Sequence, residues 1–199
     1  MKTFLFRIVI LMACTAWCGD AFCQDTNETL DTIFARKSVR MYDQSRDVTN
    51  AQLDTLVRAG MAAPTAMDRR PWEFVVVTER AGLDKLAQAL EYGKMLFTAK
   101  AAIVVCGNME QTIPGKAREF WIQDCSAATE NILLAAESLG LGAVWLGVYP
   151  DPERAARVRG ILGIPETVIP LNVISIGYPQ GGEQPKNKYD PAKIHKNKW

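Results

Sequence analysis

The chain has 199 residues, 48% of them apolar, with 23 Lys and Arg set against 22 Asp and Glu. That is the composition of one globular domain, and it excludes a disordered, collagen-like or coiled-coil chain. A formal net charge of +1 gives no electrostatic basis for holding nucleic acid, which calls for a clear excess of cations.

In chain order, the first segment reads as a targeting sequence. Lys2 and Arg7 flank the start, an apolar run follows from Ile8 to Trp17, and Ala21 and Cys23 supply small residues ahead of Gln24. This order predicts a secretory signal over residues 1–23, cleaved after Cys23, and therefore an exported, periplasmic protein whose single mature domain is residues 24–199. The apolar run is shorter than the roughly 20 residues a spanning helix needs, so no transmembrane span is expected in the mature chain. Leu11-Met12-Ala13-Cys14 also resembles a lipobox, and a lipid anchor on Cys14 is the minor alternative. Cleavage removes Lys2, Arg7 and Asp20, which takes the net charge from +1 to zero.

Helices and short strands then alternate. Leu30, Ile33 and Phe34 have helical spacing within Asn27–Lys37, and Thr49 can cap a helix carrying Leu53, Leu56 and Val57. Phe74–Val77 reads as a buried strand, Arg80–Tyr92 as a helix, and Ala101–Cys106 as a second strand. The longest helix is predicted from Arg118 to Leu139. Its second half is apolar around much of its circumference, which requires more than one packing surface, and a subunit interface is the natural second one. Gly140 reads as its C-cap. A strand over Ala143–Val148, a short helix over Glu153–Gly160 and a final strand within Val168–Ile176 complete the series. The polar tail from Tyr178 ends in Ile194 and Trp199, whose apolar area favours docking on a partner chain.

Of five cysteines, Cys14, Cys18 and Cys23 belong to the signal. Cys106 sits in an apolar run and reads as core, whereas Cys125 follows Asp124 near a helix start, a position that allows a lowered thiol pKa. The lone histidine, His195, supports neither a zinc site nor a Cys–His pair.

Four segments carry candidate site chemistry. Arg36, Lys37 and Arg40 crowd cations around Ser38, suited to a phosphate or an anionic ring edge. Pro64-Thr65-Ala66-Met67, in a loop closed by Pro71-Trp72, sets backbone amides before a buried strand. The glycines of the segment from Gly140 to Gly147 follow a helix and open a strand, the wrong order for a dinucleotide-binding fingerprint; Gly147 reads as a place where backbone approaches something flat. Lys186 and Lys188 form a basic pair in the tail.

In this order and at these separations, the four segments resemble the FMN-dependent nitroreductase family, over essentially all of residues 29–199. The resemblance implies an α+β fold with a mixed central sheet flanked by helices, in an intertwined homodimer that holds non-covalent FMN between its subunits. By position, Arg36, Lys37, Ser38 and Arg40 match the family's first FMN motif. Pro64, Thr65, Ala66 and Met67 match the loop beside the isoalloxazine, expected from the other subunit. Leu146 and Gly147 match the strand end beneath the ring, and Lys186 and Lys188 the tail pair that closes on the phosphate. Asp68 and Arg70 stand where the family commonly has Asn and Gln; Asp accepts and Arg donates, whereas an amide does both, so the ring contacts of this loop differ or the two residues pair with each other.

The chemistry so implied is ping-pong hydride transfer from NAD(P)H to a small electron-poor acceptor such as a nitroaromatic or quinone, with no catalytic protein side chain. Arg40 and Lys186 are the candidates beside the ring, Arg36 and Lys188 those for the phosphate. The alternatives are a related flavin enzyme of reductive-dehalogenase or flavin-fragmenting type, and a non-catalytic binding module that retains the fold. Export without a twin-arginine motif leaves the electron donor open.

Overall fold

The computed structural model describes residues 27–199, so the predicted signal over 1–23, with Cys14, lies outside the described residues. Helix α1 (Glu28–Ala35) starts where Asn27 Oδ1 accepts the N–H groups of Thr29 and Leu30 at 3.1 and 3.2 Å. Helix α2 (Asn50–Met61) opens on a capping box: Thr49 Oγ1 accepts the Gln52 N–H, and Gln52 Oε1 accepts the Thr49 N–H. There follow β1 (Trp72–Val77), α3 (Arg80–Ala89), β2 (Ala101–Asn108), α4 (Phe120–Ser138), β3 (Gly142–Gly147), α5 (Pro152–Leu162) and β4 (Val168–Gly177).

Two helices are shorter than their apolar spacing predicts. Leu90 takes an extended backbone conformation and ends α3 before Tyr92. Gly115–Glu119 wind as a tighter 3-10 turn, so α4 begins at Phe120. Its far end matches the reading of Gly140, which has φ +68° while the Leu141 N–H reaches back to the Ala136 carbonyl at 2.8 Å.

The four strands form one sheet in the order β1-β2-β4-β3, antiparallel at each step. Its mixed character rests on one parallel bridge, Ser38 to Ala143, through which the segment after α1 lies along the edge strand β3. Strands β2 and β4 slip register where Val105 faces Asn172 and Cys106 faces Pro170, leaving Leu171 between them without a partner on β2. Pro170 lacks an N–H, which suits it to such a bulge. The Leu171 carbonyl accepts the N–H groups of Val148 and Tyr149 instead, at 3.0 and 3.1 Å, and so holds the chain just beyond Gly147.

Both faces of the sheet are covered. Leu53 and Leu56 of α2 and Trp121, Ile132 and Ala136 of α4 pack with Ile103, Val105, Ile174 and Ile176. On the other face, Leu83 and Leu86 of α3 and Val158 of α5 pack with Val104, Val144 and Val173. Burial on both faces explains why β2 and β4 read as nearly unbroken apolar runs.

The second apolar side of α4 is covered only in part. Thr32 and Ile33 of α1 lie beside Leu134 and Ala135 around a shallow hollow of about 300 Å³. α1 itself buries no residue; Leu30, Ile33 and Phe34 are exposed, Phe34 at 70%. The tail leaves Tyr189, Ile194 and Trp199 exposed, with the His195 and Trp199 rings stacked at 4.1 Å. Among the described residues no helix is long and apolar enough to cross a membrane.

Candidate functional site

The basic segment after α1 is held by packing on its apolar members. Val39 is buried and its N–H donates to the Ala143 carbonyl at 3.0 Å. A Cβ on Gly142 would stand 2.6 Å from Val39 Cγ1, so only glycine leaves room for the Val39 side chain. Tyr42 is buried as well, its hydroxyl donating to the Val39 carbonyl at 2.9 Å or to Ser175. Burial pushes its phenol pKa well up, the Ser175 hydrogen bond opposing that shift, so the ring stays a neutral anchor.

Between these anchors, Arg40 faces a hollow of about 650 Å³ whose wall is Trp145, Leu146 and Gly147 of β3, closed across by Tyr92 and Met95. A Cβ built on Gly147 meets nothing within 4 Å, so this backbone faces open space. Arg154 fixes the same residue from behind by donating to its carbonyl at 3.1 Å. A second hollow, of about 660 Å³, is lined by Arg36, Lys186 and Lys188 with Ile33, Phe34 and Tyr189. Cations from both ends of the described chain meet there. Like Arg40, the two lysines have no acidic ion-pair partner among the described residues, whereas Arg36 contacts Glu130 at 3.3 Å and Lys37 is bound to Glu137 at 2.9 Å.

Three of the residues picked from sequence, Lys186, Lys37 and Ser38, are placed apart from Arg40 and its hollow, and the loop expected from the other subunit stands clear of both hollows. Lys186 joins Arg36 and Lys188, not Arg40. Lys37 turns toward α4 because Glu137 offers a half-buried carboxylate. Ser38 spends its backbone on the bridge to Ala143. Pro64, Thr65, Ala66 and Met67 line neither hollow of their own chain.

That loop is held against α4 by Asp124, which accepts the Ala66 N–H at 2.8 Å. Burial pushes the Asp124 carboxyl above its ordinary value, and the Ala66 hydrogen bond opposes the shift. Met67, Asp68 and Arg70 all have φ near +50°, a region non-glycine residues rarely occupy. Met67 stands 80% exposed at the loop tip. Asp68 and Arg70 pair with each other, Nε to Oδ1 at 2.7 Å and a terminal nitrogen to Oδ2 at 2.6 Å, which satisfies both departures from the family pattern locally.

Cys106 is core as read: buried, with burial and then the Glu73 charge pushing its thiol up to about 12. The lowering read for Cys125 is reversed, because the residue is fully buried on the face of α4 that packs on the sheet, and burial, with Cys106 and Asp124 nearby, pushes its thiol far up. Its Sγ donates to the Cys106 carbonyl at 3.4 Å, and both thiols are free. Raised pKa values keep both neutral at pH 8. Iodoacetamide is therefore expected to label them on the order of 100-fold more slowly in the folded chain than after denaturation; rapid double alkylation of folded protein, read by mass, would contradict this.

Sequence reasoning passed over Trp145 and Tyr92, whose rings border the Arg40 hollow, and Glu183, which reaches the same segment from the tail. Adjacent Gly181 and Gly182, followed by an acid ahead of the two lysines, was the available signal for Glu183.

Residues 33–91 and 84–178 match the family model described as the nitroreductase family. A protein of Archaeoglobus fulgidus, provisionally named an NADH dehydrogenase/NAD(P)H nitroreductase, is 43% identical over 175 residues, covering 86% of this chain and 99% of its own. A crystal structure from Parabacteroides distasonis, with the same provisional name, is 52% identical with TM-score 0.82, covering 87% of this chain and 99% of its own. The NADPH:FMN oxidoreductase of Vibrio harveyi, solved with NAD+, is 27% identical with TM-score 0.78, covering 87% of this chain and 78% of its own. A fold, a split basic site and a family match over most of the chain agree, and the chain belongs to the nitroreductase family.

Proposed function

We propose that the chain is an FMN-dependent NAD(P)H oxidoreductase that reduces small, flat, electron-poor acceptors, nitroaromatics and quinones among them, as a homodimer. The observation that carries this reading is the meeting of Arg36, Lys186 and Lys188 around one hollow, joined through residues 37–39 to a second hollow floored by Gly147.

The residues fit the cofactor. Each hollow lies in the range of about 300–1,000 Å³ usual for small-molecule sites. Lysines without acidic partners call for an anion, which the FMN phosphate supplies. A Cβ at Gly147 would fill the space that a flat ring needs. When bound, FMN supplies reversible two-electron chemistry between a reduced nicotinamide and a second acceptor.

The protein's part is placement and charge. Leu146 and Gly147 offer a flat strand end, and Trp145 and Tyr92 border it with aromatic surface. Arg40 places positive charge at the ring side of the site, favouring the reduced, more negative state. Exposed Leu30, Ile33 and Phe34, the apolar tail residues, and a 64–67 loop that lines neither hollow of its own chain all support pairing of two copies.

Steady-state kinetics test the reading. Oxidation of NADH or NADPH with a nitroaromatic or benzoquinone is expected to give parallel double-reciprocal lines. Flavin that binds and is reduced without turnover of either acceptor class would favour a related flavin chemistry instead.

A further inference from the structure

After β4 the chain runs back along the basic segment: Tyr42 bridges Pro179, the Asp43 N–H donates to the Tyr178 carbonyl at 2.9 Å, and the Gln180 N–H to the Met41 carbonyl at 2.9 Å. Gly181 and Gly182, both at φ +102°, then turn it sharply. That turn brings the Glu183 carboxylate back, where Oε1 accepts the N–H groups of both Arg40 and Met41, at 3.0 and 3.2 Å. Oε2 is shielded from solvent and has no partner among the described residues. Partial burial works against the charge of this carboxylate, but the N–H groups of Arg40, Glu183 and Met41 and the nearby Lys37 charge hold its pKa below the ordinary value. Lys186 and Lys188 follow directly.

We propose that Glu183 is a positioning residue of the cofactor's phosphate site: it latches the tail to the Arg40–Met41 backbone so that Lys186 and Lys188 stand ready beside Arg36. The inference rests on the flavin reading above. A tail hinged at two glycines would otherwise have to be ordered when the anion binds, and ordering beforehand removes that cost from binding. An ionised carboxylate accepting two backbone N–H groups is a strong enough tie to do so. Arg40 is held independently by buried Val39 and Tyr42 on either side of it, whereas the lysines depend on the latch, so the effect of Glu183 falls mainly on the phosphate.

The test compares FMN with riboflavin, which lacks the phosphate, as fluorescence-quenching probes of the full chain. Glu183→Ala is expected to weaken FMN binding by about tenfold and riboflavin binding by less than about threefold. Glu183→Gln keeps an acceptor oxygen but sets an amide NH2 where no acceptor lies, and it is expected to fall between the two. Once Lys186→Ala and Lys188→Ala are present, adding Glu183→Ala is expected to cost less than about twofold more, since residues acting through one another are not additive. Without flavin, hydrogen exchange at the Arg40 and Met41 amides is expected to quicken by about tenfold or more in Glu183→Ala. Unchanged exchange, a fully additive cycle, or equal losses for FMN and riboflavin would overturn the proposal. If exchange quickens in a chain whose wild type binds neither flavin, the flavin reading itself falls, and the latch is then only a tail contact.

Discussion

Gly147→Val is expected to cost FMN and riboflavin binding alike by about 100-fold or more while the fold stands. Gly147 ends β3, paired with Asn172 of β4, in ordinary strand conformation, and a Cβ there meets nothing within 4 Å. Valine is at home in a strand, so thermal stability should be unchanged or slightly higher. The added methyls project into the space bordered by Arg40, Trp145 and Tyr92. Overpacking a close contact costs about 1–3 kcal/mol or more, and about 2.7 kcal/mol is a factor of 100 in affinity. Flavin titrations beside thermal melts check both halves. Tight flavin binding by a folded Gly147→Val chain would remove the ring from β3.

The second large effect is expected from Lys186→Ala with Lys188→Ala. Each lysine stands in the tail without an acidic partner among the described residues, so removing it breaks no ion pair and stability should hardly move. Charge-assisted hydrogen bonds contribute about 1.5–3 kcal/mol each. Exposure and salt reduce that figure, leaving about 2–4 kcal/mol for the pair, or on the order of 30- to 1,000-fold in FMN affinity. Riboflavin should bind as before, and the salt dependence of FMN binding should flatten. Equal loss of both flavins would move the lysines from the phosphate to the ring.

Gly147→Val and the lysine pair therefore separate the two hollows by chemistry: one variant rejects both flavins, the other only the phosphorylated one. Arg40 and Arg36, four residues apart on one segment, tie the hollows together. Val39 and Tyr42 hold that segment by burial, which is why a strip of cations can lie along a sheet edge without collapsing onto its neighbours.

What was legible in the sequence was local. Thr49 ahead of an apolar-periodic segment announces a helix cap, Gly140 after an apolar helix announces its C-cap, and apolar runs announce β2 and, interrupted by Asn172 and Ser175, β4. Arg40, Leu146 and Gly147, which the resemblance sets beside one ring, line one hollow. Long-range pairings were not legible. Glu183 meets Arg40 across 143 positions and Lys37 meets Glu137 across 100, and no spacing rule encodes either. Cys125 was misread for the same reason: Asp124 beside it suggested a helix start, but thiol chemistry there is governed by what α4 packs against. The Asp68–Arg70 pair was local enough to foresee as one of two outcomes, and the left-handed backbone at both residues brings their side chains together.

The most direct test of the account is an anaerobic visible-absorbance titration of the purified chain with FMN, then with NADH or NADPH, then with a nitroaromatic. The account predicts saturable binding of one FMN per chain, bleaching of the bound flavin by a reduced nicotinamide, and return of the oxidised spectrum on adding the acceptor. A folded chain that leaves the spectrum of added FMN unchanged and emerges colourless once free flavin is removed would contradict it.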